Sequence, residues 1–332
     1  MSVLITGGAG YIGAHVVRLL QERGESAVVI DDLSTGDARR LGNAILASID
    51  LSADTASDEV RRLVLAHDVT GVIHLAAKKQ VGQSVTEPAL YYRQNVGGLA
   101  NLLLGLTGTP VRDVVFSSSA AVYGSPVSLP VAEEDPTLPV NPYGSTKLAG
   151  EWLVAEAARA HGLRSISLRY FNVAGAGWPD LGDPFPLNLL TIAIDALEHG
   201  RQPVIFGDDF DTPDGTGVRD YVHVLDLADS HLAALDYLRA QADGASSSVL
   251  NVGTGTGASV REVLDRLRAV SGIDLDPLIV GRRAGDPAAV VADVSRIRRE
   301  LGWSSRHTLD DMVASAWNAR PAVANEQDAQ TR

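Results

Sequence analysis

The segment Val3-Leu-Ile-Thr-Gly7-Gly-Ala-Gly10-Tyr11-Ile12-Gly13 constrains the chain more than any other. A short apolar run enters three glycines spaced G-x-x-G-x-x-G. Ile12, Val16, Val17, Leu19 and Leu20 then recur at helical spacing. This is a strand, a tight turn and a helix. Glycines permit such a turn and let backbone N–H groups approach a pyrophosphate, to which the helix N-terminus adds the positive end of its dipole. The bare spacing is a weak signal, but its strand-turn-helix context predicts a dinucleotide cradle. Gly7, Gly10 and Gly13 form it, with Tyr11 and Ile12 between them.

The alternation continues. Val28–Ile30, Val72–Leu75, Val114–Ser117 and Ile166–Arg169 read as buried strands. Tyr91–Leu106 and Asn141–Ala160 read as helices, the second opening on Asn-Pro and carrying Leu148, Trp152, Leu153 and Ala157. Continuous apolar strands alternating with helices predict an α/β fold, a parallel, doubly wound sheet. The texture changes after Gly175, where 177–186 and 208–217 are rich in Gly, Pro and Asp. The expected organisation is a cofactor domain at 1–175, a smaller and possibly discontinuous substrate region at 176–320, and a polar tail at 321–332.

Composition narrows the chemistry. The net charge of −13 comes with no basic block, which disfavours nucleic acid as a partner. The absence of cysteine excludes disulfides, iron–sulfur clusters and thiolate zinc sites, and no metal is expected. No apolar run approaches the ~20 residues of a membrane helix, and no signal-peptide pattern opens the chain. A cytoplasmic protein with no membrane partner is the expectation.

Three further features carry chemistry. The second strand ends on Asp31, 18 residues past Gly13, near the ~20 typical of a ribose-binding acid. A carboxylate there accepts from ribose hydroxyls and repels a 2′-phosphate, so NAD is favoured over NADP. In Asn141-Pro-Tyr143-Gly-Ser-Thr-Lys147, Tyr143 and Lys147 share a helix face at i, i+4. A tyrosine is a poor base until a nearby cation stabilises the phenolate. Lys78, Lys79 and Lys147 are the only lysines in a chain whose other basic side chains are arginines; a compact ammonium at 147 suits that need better than a guanidinium fork. Ser119 lies just past the carboxyl end of the fourth predicted strand, where open α/β sheets bind ligands.

Together, the glycine turn, Asp31, Ser119 and the Tyr143/Lys147 pair resemble the extended short-chain dehydrogenase/reductase superfamily. Four further segments sharpen the likeness to its UDP-galactose 4-epimerases, from residue 3 to about Trp317. They are His74-Leu-Ala-Ala-Lys-Lys79, Arg169-Tyr-Phe-Asn172, Asp214-Gly-Thr-Gly-Val-Arg219-Asp-Tyr-Val-His223 and Arg282-Arg283-Ala-Gly285-Asp286. The resemblance implies a Rossmann-type fold with a smaller C-terminal substrate-binding region. It implies bound NAD, a UDP-sugar substrate and a homodimer built on the two long helices. Gly7, Gly10, Gly13, Asp31, Asp50, Leu51, Lys79 and Asn95 would line the NAD site, and Ser119, Tyr143 and Lys147 would be catalytic. Asn172, Asn188, Phe206, Arg219, Arg283 and Asp286 would hold the nucleotide sugar. Phe206 would sit near uracil and the two arginines would bind pyrophosphate. The chain departs from the family pattern at Leu187, where a second asparagine is frequent, and at Val290, where some members carry a larger aromatic.

Related dehydratases carry an Asp-Glu pair after the serine or threonine, which they need to eliminate water. Here Ala120 and Ala121 stand there. An epimerase needs only a base for the hydroxyl and a reversible hydride acceptor, which these residues satisfy. A non-catalytic NAD-sensing protein on the same fold would usually lose the Tyr/Lys pair. The sugar itself (galactose, an N-acetylhexosamine or a uronic acid) stays open at this level. A valine at 290 leaves room for a 2-acetamido group.

Overall fold

The computed structural model describes residues 2–320 apart from Asp243, Leu275 and Ala284. The expected polar tail at 321–332 lies outside the described residues. Seven parallel strands form the main sheet: β1 (Ser2–Thr6), β2 (Ser26–Asp31), β3 (Ile45–Ser48), β4 (Val69–His74), β5 (Asp113–Ser117), β6 (Arg164–Tyr170) and, later in the chain, β10 (Ser246–Val252). Their spatial order is β10-β6-β5-β4-β1-β2-β3. The order reverses between β1 and β4, and the crevice outside the strand carboxyl ends at such a switch point is where ligands bind. Register aligns those ends: Thr6 pairs with Ile30 on one side and His74 on the other. Gly7, Asp31 and Leu75 therefore leave the sheet together.

Strand alternation loads both faces. Val3 and Ile5 join one core with Val16, Val17 and Leu20 of the Tyr11–Glu22 helix and Leu232 and Leu235 of the Val224–Ala240 helix. Leu4 points the other way, into a core with Val60, Leu99, Leu102 and Val154. Five strands match the sequence reading. The two it missed, β3 and β10, are the sheet edges. β3 is short and half-exposed, and β10 opens on three serines, so neither shows the continuous apolar run of a central strand. The expected Tyr91–Leu106 helix is composite: a turn at Pro88–Tyr91, a π-helical segment at Tyr92–Gly97, then α-helix at Gly98–Leu106.

The smaller region has its own core of Leu190, Ile194, Ile205, Tyr221, Val263, Leu264, Leu267 and Met312. Its strands are β7 (Asn172–Ala174), β8 (Val204–Phe206), β9 (Val218–His223), β11 (Gly257–Ser259), β12 (Leu278–Val280) and β13 (Ala289–Val290). β9 carries β7, β11 and β13, and β8 pairs with β12. Between these pieces the chain returns to the main sheet. The Val224–Ala240 helix packs on β5 and β6, and β10 pairs with β6. The division drawn at residue 175 is thus crossed by a stretch of about 30 residues.

Candidate active site

At the switch point, Gly7 adopts a φ of +72° and its N–H donates to the Ile30 carbonyl at 2.7 Å. A Cβ on Gly13 would lie 2.1 Å from the Gly7 oxygen, so the helix meets the turn too closely for any side chain. Both positions need glycine, as the spacing predicts. Asp31 accepts from the Ala9 N–H and the Leu33 N–H, both at 2.9 Å. Burial raises its pKa, and those two bonds oppose the shift. Its carboxylate thus faces the glycine turn, where a ribose would follow a pyrophosphate.

A large cavity opens from this cradle. Gly7, Gly10, Tyr11, Ile12, Gly13, Asp31, Asp50, Leu51 and Lys79 all line it, and so do Tyr143 and Lys147. Asn95 does not. Its amide oxygen accepts from the Lys78 N–H at 2.8 Å, and its NH₂ donates to the Lys78 carbonyl and to Thr146. Asn95 thus clamps the backbone next to Lys79, which lines the cavity. Tyr170, Phe185 and Leu187 also line the cavity. The sequence reading gave Tyr170 and Phe185 no role, though both lie inside segments it singled out.

Tyr143 and Lys147 are both buried on the Pro142–His161 helix, whose start is fixed by Asn141 accepting from the Gly144 N–H at 2.9 Å. The Lys147 ammonium is 6.0 Å from the Tyr143 ring centroid and donates to the Ser117 carbonyl at 2.7 Å. Burial pushes the Tyr143 phenol far above its ordinary range; the neighbouring Tyr170 adds to this and a hydrogen bond with Ser119 opposes it. Burial also draws Lys147 down to about 8, against the pull of Glu151. Ser119 caps the Ala120–Tyr123 turn, accepting from the Ala121 N–H at 3.2 Å. No carboxylate follows it. The arrangement is a phenol and an ammonium in the wall of the cavity that opens from the glycine cradle, with the Ser119 hydroxyl beside the phenol and outside the cavity lining.

Beneath them lies a polar network that the sequence reading missed. Glu151, one helical turn beyond Lys147, forms a bidentate pair with Arg169 at 2.7 and 2.9 Å and accepts from Ser118 at 2.5 Å. Arg169 also donates to Tyr123, which donates to Asn251. His231 reaches the Ser117 hydroxyl at 3.2 Å. The signal was present as Glu151 at i+4 from Lys147, an acid on an otherwise buried face.

The residues expected to hold a nucleotide sugar divide into groups. Arg219 on β9 is ion-paired with Asp286. Val290 on β13 is the Cα partner of Arg219 and packs, partly buried, on the first core. The Arg283 guanidinium lies 3.7 Å from the centroid of the Phe206 ring. Asn172 begins β7 and is the Cα partner of Tyr221 on β9. Asn188 is placed differently: it caps the Leu189–Glu198 helix through the Thr191 N–H and lines a second, smaller cavity shared with Tyr11 and Phe185.

Known proteins share this architecture. The profile of the NAD dependent epimerase/dehydratase family matches residues 3–253. The UDP-glucose 4-epimerase of Azospirillum brasilense is 47% identical over 95% of this chain and 90% of its own length. A UDP-glucose-4-epimerase structure from Stenotrophomonas maltophila with bound NAD and formylated UDP-arabinopyranose superposes with a TM-score of 0.89 at 40% identity, covering 96% of this chain and 97% of that one. The UDP-glucose 4-epimerase of Bifidobacterium longum, in complex with NAD+ and UDP, gives 0.87 at 37% identity over 96% and 98%.

Proposed function

The chain belongs to the NAD dependent epimerase/dehydratase family, and on that premise we propose that its cavity inverts C4 of a UDP-hexose. It is an isomerase that interconverts UDP-glucose and UDP-galactose, with NAD as cofactor. The observation that carries this reading is the presence of Tyr143 and Lys147 in the wall of the cavity that begins at the glycine cradle, with Ser119 beside Tyr143.

The residues fit NAD. Gly7 and Gly13 tolerate no Cβ beside the turn, and the Asp31 carboxylate faces the place where an adenosine ribose would lie. A 2′-phosphate there would meet that buried carboxylate, so NADP is disfavoured. When bound, NAD supplies a positive ring and a reversible hydride acceptor.

The chain supplies the rest. Tyr143 accepts the proton of the sugar's 4-hydroxyl. Burial alone would keep the phenol protonated, so the Lys147 ammonium is needed to stabilise the phenolate. Ser119, beside Tyr143 and favouring its ionised form, steadies the same oxygen. Arg219 and Arg283 grip the diphosphate as charge-assisted donors, while Phe206 offers uracil an aromatic neighbour. With UDP held and the hexose loosely housed, the 4-keto sugar turns over and presents its other face. Tyr143 then returns the proton.

The short side chain of Val290 accommodates a 2-acetamido group, which extends the substrates to the UDP-N-acetylhexosamine pair. Apolar side chains exposed on the two long helices, Leu104 at 59% and Trp152 at 61%, support a homodimer joined through those helices. A cysteine-free chain with no described helix long and apolar enough to cross a membrane suits the cytoplasm. The test of the central reading is Tyr143→Phe. It keeps the fold and bound NAD and loses about 10²–10⁴-fold in kcat. Near wild-type turnover would end the assignment.

A further inference from the structure

Tyr143, Lys147 and Glu151 recur every fourth residue along the Pro142–His161 helix, so three ionisable side chains stack on one face. All three are buried. A free carboxylate one turn from Lys147 would pair with the ammonium and cancel its support for the phenol. Arg169 on β6 engages that carboxylate instead. It donates from Nε to Oε1 at 2.9 Å and from Nη2 to Oε2 at 2.7 Å. Such fork-to-fork pairing fixes both position and direction. The same Oε1 accepts from Ser118 at 2.5 Å. Ser118 sits between Ser117, whose carbonyl holds Lys147, and Ser119, which lies beside Tyr143 and lowers its pKa.

We propose that Arg169 and Glu151 are positioning residues for the C4 inversion. Arg169 withholds the Glu151 carboxylate from Lys147, and Glu151 holds the Ser117–Ser119 stretch in register with the catalytic helix face. The inference rests on the reading of Tyr143 as the base. Other titratable groups face the site from the packed elements: His74 on β4 and His231 on the Val224–Ala240 helix face Lys147, Tyr170 on β6 and Tyr91 on the Pro88–Tyr91 turn face Tyr143, and Tyr123 and Glu133 lie against Arg169. Burial draws His74 down to about 3 and His231 to about 4, and Lys147 adds to both shifts. Both histidines therefore stay neutral through the neutral range, and the nearest charge acting on Lys147 is the Glu151 carboxylate held by Arg169.

The experiment compares NAD-loaded Arg169→Gln, Glu151→Gln and the double variant. One readout is the acid limb of kcat against pH. The other is an ultraviolet difference titration of the phenolate, with Tyr143→Phe as baseline, which does not depend on turnover. In Arg169→Gln the freed carboxylate turns toward Lys147. The phenol then titrates about one unit higher, and kcat at neutral pH falls about tenfold. KM changes by less than about twofold, because the lost interaction matters in the transition state. Glu151→Gln unmasks the Arg169 cation and moves the limb to lower pH. The double variant returns it toward wild type. A purely structural pair would not give opposite signs. Shifts in one direction for both single variants, or no shift in whichever single variant is isolated folded, overturn the proposal. So does a folded double variant when neither single variant folds, since the pair would then be only a structural tie. Full activity in Tyr143→Phe would instead remove the base assignment itself, and the two failures are distinguishable.

Discussion

Gly13→Ala tests whether the turn and the helix that follows form one rigid cradle. The added Cβ would sit 2.1 Å from the Gly7 oxygen, 2.7 Å from the Gly8 Cα and 2.9 Å from the Gly7 carbonyl carbon. Ordinary van der Waals contact begins at 3.4 Å, so the worst overlap is 1.3 Å. All three obstacles are backbone, and no rotamer change can relieve them. The Tyr11–Glu22 helix must move off the turn by about 1 Å, and its packing of Val16, Val17 and Leu20 against the sheet moves with it. Overpacking of this kind costs about 1–3 kcal/mol. At about 1.4 °C per kcal/mol for a chain of 332 residues, Tm falls by roughly 3 °C for a cost of ~2 kcal/mol. The functional loss is larger, because the helix N-terminal N–H groups shift together and a misplacement of about 1 Å can cost 10²-fold. Denaturing the purified protein and counting released NAD per chain measures occupancy; thermal unfolding measures stability. Gly82→Ala is the control. Gly82 lies in the Val81–Thr86 helix with nothing within 4 Å of its added Cβ, and it should be neutral or stabilising by under about 1 kcal/mol. If Gly13→Ala retains wild-type NAD occupancy and a Tm within about one degree, the cradle is softer than this geometry implies.

The pH dependence has a defined sign. Lys147 is charged below about 8 and loses its proton as pH rises through that value. Support for the phenolate is therefore lost on the alkaline side, and kcat should be bell-shaped. Lys147→Arg stays charged and should abolish the alkaline limb while lowering the maximum; a limb unmoved by that change would show that another group sets it. Wild type should turn over UDP-N-acetylglucosamine, and Val290→Tyr should lose that activity while keeping UDP-galactose turnover. Failure of wild type at high enzyme concentration removes Val290 as the gate. Trp152→Asp with Leu104→Asp should give monomers by light scattering, and an unchanged dimer would place the interface elsewhere.

The central strands were legible because burial on both faces writes a continuous apolar run, as in Val3–Ile5 and Val28–Ile30. Edge strands carry no such mark. β3 and β10 are set by pairing with β2 and β6 respectively, a tertiary fact with little local signature. The Tyr92–Gly97 π-segment was hidden for a related reason. It alters the hydrogen-bond ladder by one residue without changing the apolar pattern, and it places Asn95 facing the Lys78 backbone.

The site divides along the same line. Glycines are readable when a close approach forbids a Cβ, and Tyr143 with Lys147 is readable because helical spacing alone makes them neighbours. Glu151 obeys that spacing too, yet its role depends on Arg169, a strand residue 18 positions away. Asn188 shows an ambiguity of another kind. A polar residue beside a Pro-rich loop suits a ligand and a helix cap equally well, and here its side-chain oxygen accepts from the Thr191 N–H while the residue also lines the second cavity. Sequence spacing thus identifies groups that one element brings together. Groups brought together by two elements need the fold. The Glu151–Arg169 pair is of the second kind and lies directly beneath a set of the first, so the chemistry legible in the sequence rests on a support that is not.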